Sequence, residues 1–107
     1  MIDWPRVKEL RDEIGAEDFG EVVDLFLEEV EEVIVKLRSG DCGQLEQDLH
    51  FLKGSAMNLG FDDFSKLCLV GERKSAEGQA ENVNVPEILD QFESSKVTFL
   101  AELPSLN

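Results

Sequence analysis

Apolar residues recur along most of this chain at helical spacing, and five segments follow that rhythm. The first opens at Asp3, a residue type that caps helix N-termini, with Pro5 in the first turn where a missing N–H costs nothing. Val7, Leu10 and Ile14 carry its stripe and Gly15 closes it. From Asp18 to Arg38, Phe19, Val22, Val23, Phe26, Val30, Val33, Ile34 and Leu37 make an i, i+3, i+4 pattern. At 3.6 residues per turn they form one stripe about 120° wide. Glu21, Asp24, Glu28, Glu29, Glu31 and Glu32 fill the opposite face, and Lys36 and Arg38 suit the negative end of the helix dipole.

Asp41 is the expected cap of a third helix that runs to Leu59, with Gly60 as its left-handed terminator and Leu45, Leu49, Leu52, Ala56 and Leu59 as its stripe. A fourth begins near Asp62 and Asp63 and turns Phe64, Leu67, Cys68, Gly71 and Ser75 inward. The small residues at the end of that series predict a close approach to a neighbouring helix. Glu77 to Asn84 reads as a loop. Asn84, Pro86 and Glu87 then start a fifth helix in the manner of a capping box, with Ile88, Leu89, Phe92, Phe99 and Leu103 facing in and Pro104 ending it. No strand pattern or repeat intervenes. Long amphipathic helices with short connections predict an all-α, antiparallel up-and-down four-helix bundle, with the short N-terminal helix packed across one end.

At 107 residues the chain fits one domain, residues 1–107, and 42% hydrophobic content suffices for a single core. The formal charge of −14 argues against nucleic acid, whose phosphates need a basic surface, and against an anionic membrane leaflet. The acidity serves solubility or steers the molecule toward a partner with a basic face. No apolar run approaches the roughly 20 residues that span a bilayer, and no basic-plus-apolar leader is present. Cys42 and Cys68 match neither a metal-ligand spacing nor a disulfide framework, which fits reduced thiols in a cytoplasmic protein.

One histidine occurs, His50, in the middle of the third helix. It lies roughly 140° from Leu45, while the stripe stays within about 40° of that residue. The imidazole therefore points away from the core. Periodicity alone fits an idle surface histidine and a working one equally. Its neighbours add chemistry. Gly54, one turn on, shares nearly the same bearing, and a mid-helix glycine costs about 1 kcal/mol relative to alanine. Access for another protein to the ring would account for it. Lys53 lies on an adjacent bearing, able to offset charge on a group carried by the ring. Met57 and Phe61 fall on the same side as a possible partner-binding patch, Phe61 with the alternative of folding inward at the helix end. One histidine and two distant cysteines make no zinc site, there is no phosphate-binding glycine loop, and Ser55 sits on the opposite flank from His50.

The run His50-Phe51-Leu52-Lys53-Gly54-Ser55-Ala56, followed by Leu59-Gly60, resembles the signature of the histidine-containing phosphotransfer (HPt) family: His, any residue, an aliphatic, Lys, Gly, two small residues, then an aliphatic-Gly pair. The Leu-Phe-Leu-Glu segment from Leu25 to Glu28 and the order of helices are similar to that family as well, so the likeness covers essentially the whole chain. It implies a four-helix bundle whose phosphoacceptor is His50, with Lys53 supporting the phosphoryl charge and Gly54 opening the approach. It implies a phosphorelay carrier in two-component signalling, not an enzyme, with no cofactor of its own. Its partners would be receiver domains of response regulators and hybrid histidine kinases, which supply Mg²⁺ and the transition-state electrostatics. One departure stands out. Many members carry a glutamine on the fourth helix that hydrogen-bonds the imidazole, and the corresponding position here falls near Glu72, beside Arg73 and Lys74. Three other readings use the same chain: a non-phosphorylated module binding receivers through the same face, a phosphoacceptor domain of a chemotaxis-type kinase, and an acidic helical adaptor.

Overall fold

The computed structural model describes residues 2–106, and the chemistry of helix ends sets where its elements begin and stop. They are α1 (Trp4–Ile14), α2 (Ala16–Arg38), α3 (Leu45–Leu59), α4 (Asp62–Ala76) and α5 (Val85–Glu102), with short 3₁₀ turns at Ala80–Asn82 and Leu103–Ser105. No strand occurs among the described residues, only an isolated antiparallel bridge between Ile2 and Phe61. At the start of α1 the Asp3 carboxylate accepts from the Arg6 N–H at 3.3 Å. At the start of α5 the Asn84 side chain accepts from the Glu87 N–H at 3.1 Å, and its own amide reaches back toward the Glu87 carboxylate. Each such cap satisfies a backbone donor that the helix leaves unpaired.

One expectation about α3 changes. Asp41 does not cap it: the helix starts later, at Leu45 after Gln44, and the Asp41 side chain instead accepts from the Gly43 N–H within the preceding turn. A short side chain that can close a local turn competes with the helix for the backbone, and here the turn prevails. The end is as expected. Gly60 adopts φ +76°, and the Phe61 N–H bonds back to the Ala56 carbonyl at 2.8 Å. A Cβ on Gly60 would stand 2.7 Å from the Asp3 carbonyl oxygen, so close packing adds to the case for glycine there. That packing is α1: the Asp3 N–H donates to the Gly60 carbonyl at 2.6 Å, and Trp4 stacks on Phe99 with ring centroids 5.7 Å apart. The start of α1 thus packs against the turn where α3 stops and against Phe99 of α5.

The core runs through the expected stripes, with Leu27 of α2 joining them and Ile14, Val22, Phe26, Val33, Leu67, Ser75, Leu89 and Leu103 only half-buried. Phe61 needs correcting. It is 1% exposed, packed against Phe92 and Phe99, and unavailable to a partner. The helical bearing that placed it beside His50 ends at Leu59, and the left-handed turn at Gly60 swings the ring inward. Burying a phenylalanine stabilises by about 1.5–3 kcal/mol, which favours that direction.

Helices α3 and α4 form the most extensive pair. Gly71 is the reason they approach so closely: a Cβ there would lie 2.7 Å from Leu49 Cδ1 and 3.2 Å from Val83 Cγ1. Between α2 and α5, Glu31 pairs with Lys96 and Arg38 with Glu93, so numbering falls along α5 as it rises along α2. Lys36 of α2 reaches Asp48 of α3 at 3.0 Å.

Candidate functional site

The inward residues of α3 lock its rotation. Leu45, Leu49, Leu52, Ala56 and Leu59 are all at most 4% exposed, so the helix cannot turn without losing its core. His50 is thereby held outward, its side chain 69% exposed. A ring mounted on a packed helix is located more narrowly than one on a loop.

The close α3–α4 seam places a carboxylate beside that ring. Glu72 follows Gly71, and its Oε2 lies 2.8 Å from His50 Nδ1 while its Oε1 lies 2.7 Å from Lys53 Nζ. Glu72 is thus ion-paired through one oxygen and hydrogen-bonded through the other. The Lys53 hydrogen bond holds its carboxyl below the usual range, partial burial acts in the opposite direction, and the His50 hydrogen bond adds to the lowering. The group is therefore a carboxylate near neutral pH, and a carboxylate only accepts. In the neutral imidazole Nδ1 therefore carries the proton and Nε2 keeps its lone pair. The tautomer follows from the acceptor.

Gly54 stands in open space: a Cβ there would meet nothing within 4 Å. The fold does not require a glycine at this position, yet bears its helix cost. Met57 is 59% exposed and Phe51 38%, so α3 carries apolar side chains on its solvent side near the ring. Ser55 is 8% exposed on the buried flank, which keeps its hydroxyl away from the imidazole.

His50, Lys53 and Gly54 thus share one accessible surface with Met57, and Phe61 leaves it. Of the three residues near the departure on the fourth helix, Glu72 is the one on the ring; Arg73 is exposed and Lys74 lines a groove between α4 and α5 with Val83 and Glu87. Phe51 occupies a position free to vary in the sequence pattern, and its exposure became visible only in three dimensions. Cys68, buried in α4, has its thiol pushed up to about 12 by burial and by the nearby Glu72 charge, so it is un-ionised and a poor nucleophile. Among the described residues no group of three or more His, Cys, Asp or Glu side chains is placed to hold a metal ion, and no helix is long and apolar enough to cross a membrane.

Chemically, the arrangement offers a nucleophilic nitrogen on an exposed ring, with a carboxylate acceptor on Nδ1 and a cation on that carboxylate. The grooves between α4 and α5 and beside Met57 are lined by other residues and do not include His50. The family model described as Hpt domain matches residues 21–96, a span that includes His50, Lys53, Gly54, Met57 and Glu72. No curated protein and no solved structure matches the chain.

Proposed function

The chain belongs to the Hpt domain family, whose members act in two-component phosphotransfer, and from that premise we propose that it is a phosphorelay carrier with His50 as its phosphoacceptor. The observation that carries this reading is the His50–Glu72 contact at 2.8 Å on a ring left 69% exposed. That contact leaves Nε2 as the free nucleophile. In transfer, the Nε2 lone pair attacks the phosphorus of an aspartyl phosphate, the P–O bond to the aspartate breaks, and the carboxylate leaves with that electron pair. The Nδ1 proton stays on the ring, facing Glu72.

Lys53 has the role of charge support. Its ammonium, on Glu72 in the resting protein, is on the correct helix to turn toward a phosphoryl group on the ring. Gly54 leaves room for a partner's active site to close over Nε2, and Met57, with a flexible thioether, suits an adaptable contact. The partners in this reading are receiver domains of response regulators and hybrid kinases, which supply the Mg²⁺ and the charge that stabilises the transferring phosphoryl group. The carrier's part is presentation, not catalysis. Its frame is an antiparallel up-and-down bundle of α2 to α5 with α1 added, supported by the opposed Glu31–Lys96 and Arg38–Glu93 pairs.

Incubation of the purified protein with phosphoramidate, followed by intact mass measurement, tests the reading without a partner. Wild type is expected to gain one acid-labile phosphoryl group and His50→Gln none. Equal gain by both would place the acceptor at a residue other than His50, and no gain by wild type would leave a module that only binds.

A further inference from the structure

Once Nε2 carries a phosphoryl group, Nδ1 is the one remaining proton site on the ring, and the state of that site governs how easily the phosphoryl group leaves. With Nδ1 protonated, the ring is a phosphoimidazolium. When water or an aspartate oxygen attacks phosphorus, the electron pair of the Nε2–P bond returns to the ring, which departs as neutral imidazole. With Nδ1 bare, the same step has to expel an imidazolate, a far poorer leaving group. A group that stabilises the Nδ1 proton therefore shortens the life of the phosphohistidine and raises its power as a donor.

The group facing Nδ1 here is an anion. Glu72 Oε2 lies 2.8 Å from Nδ1, from a side chain only 18% exposed, where charge is screened less than at the open surface. A neutral amide at this position would give the proton a hydrogen bond; a carboxylate adds attraction to the positive ring. The charged and titratable groups facing Glu72 besides His50 are Lys53 from α3, 2.7 Å from Oε1, and Cys68 on α4, which stays a neutral thiol. Lys53 tempers the carboxylate in the resting protein. After phosphorylation the phosphoryl charge competes for that ammonium, which leaves more of the Glu72 charge to the ring.

We propose that Glu72 keeps phosphorylated His50 in the phosphoimidazolium form into mildly alkaline pH, and so makes this protein a short-lived, strongly donating carrier. The proposal rests on the carrier reading above and adds to it a lifetime set by one oxygen atom. Glu72 acts through His50 and is a positioning residue in this scheme.

The test measures decay of the phosphorylated protein by intact mass after removal of phosphoramidate, for wild type and Glu72→Gln. At about pH 8.5 the variant is expected to keep its phosphoryl group about tenfold longer, because a ring without the facing carboxylate gives up its Nδ1 proton more readily. At about pH 5.5 both rings hold the proton and the two lifetimes should agree within about twofold. Equal lifetimes at the alkaline pH, or a shorter one for the variant, would overturn the proposal while leaving the carrier reading intact. Failure of wild type to accept phosphate at all would remove both. If circular dichroism shows that Glu72→Gln does not fold, the pH profile of wild type against free N-phosphoimidazole in the same buffers decides. Wild type should hold its decay rate into a range where the free compound has already slowed, and parallel slowing would refute the idea.

Discussion

Two faces of α3 each involve a glycine, and the contrast between them separates what the fold needs from what the site needs. On the inner face, Gly71 of α4 lies against Leu49, and an added Cβ would stand 2.7 Å from a fully buried methyl group. On the outer face, an added Cβ on Gly54 would meet nothing. The first glycine is held by packing. The second lowers helix stability and gains no packing within the chain, which is what the proposed approach of a partner to His50 would account for. The two faces are joined by Glu72, which reaches the ring because its neighbour Gly71 lets α4 approach α3.

The largest expected effect breaks the inner face. Gly71→Val places a branched side chain against Leu49, Val83 and Ile88, and overpacking of this kind costs about 1–3 kcal/mol. Urea unfolding should show it as a lower midpoint, and an unchanged midpoint would mean that the α3–α4 seam is looser than its geometry.

The outer face should behave in the opposite way. Gly54→Ala is expected to raise stability by about 1 kcal/mol, the helix-propensity difference, since its methyl group has open space. Gly54→Leu should label normally with phosphoramidate yet exchange phosphoryl groups with a receiver about tenfold more slowly, because a clash of about 1–2 kcal/mol falls only on the docked complex. Normal exchange by Gly54→Leu would sink the access argument.

The smallest effect concerns the link between the faces. Glu72 is lowered from its ordinary value of 4.5, first by the Lys53 hydrogen bond. A carboxyl depressed in the folded state contributes stability that is present above its unfolded pKa and is lost as pH falls through the folded one. The stability advantage of wild type over Glu72→Gln should therefore hold at neutral pH and shrink below about pH 4.5. An advantage that grows in acid would contradict the ion-paired geometry.

Much of this architecture was legible along the chain. The five helices lie where their apolar stripes placed them, with α3 starting later than its expected cap, because a stripe of large apolar residues has only one favourable way to face. His50 could be set on the solvent side of α3 by counting alone, since a rigid helix carries bearing from one residue to the next. The same counting failed at Phe61, where Gly60 ends the helix and bearing no longer propagates. It failed at Asp41, where a local turn competed with a cap, and it passed over Leu27, which the packing of α2 brings into the core.

The sequence by itself determined the helical frame, the outward histidine and the Hpt signature around it, because these depend on residues close together in the chain and on one repeating geometry. Only the tertiary structure decided what stands behind the ring. The Glu72 contact links residues 22 positions apart, on two helices whose separation depends on a glycine against a leucine. A distance of that kind is set by how side chains fill the space between elements, and no pattern within either helix encodes it.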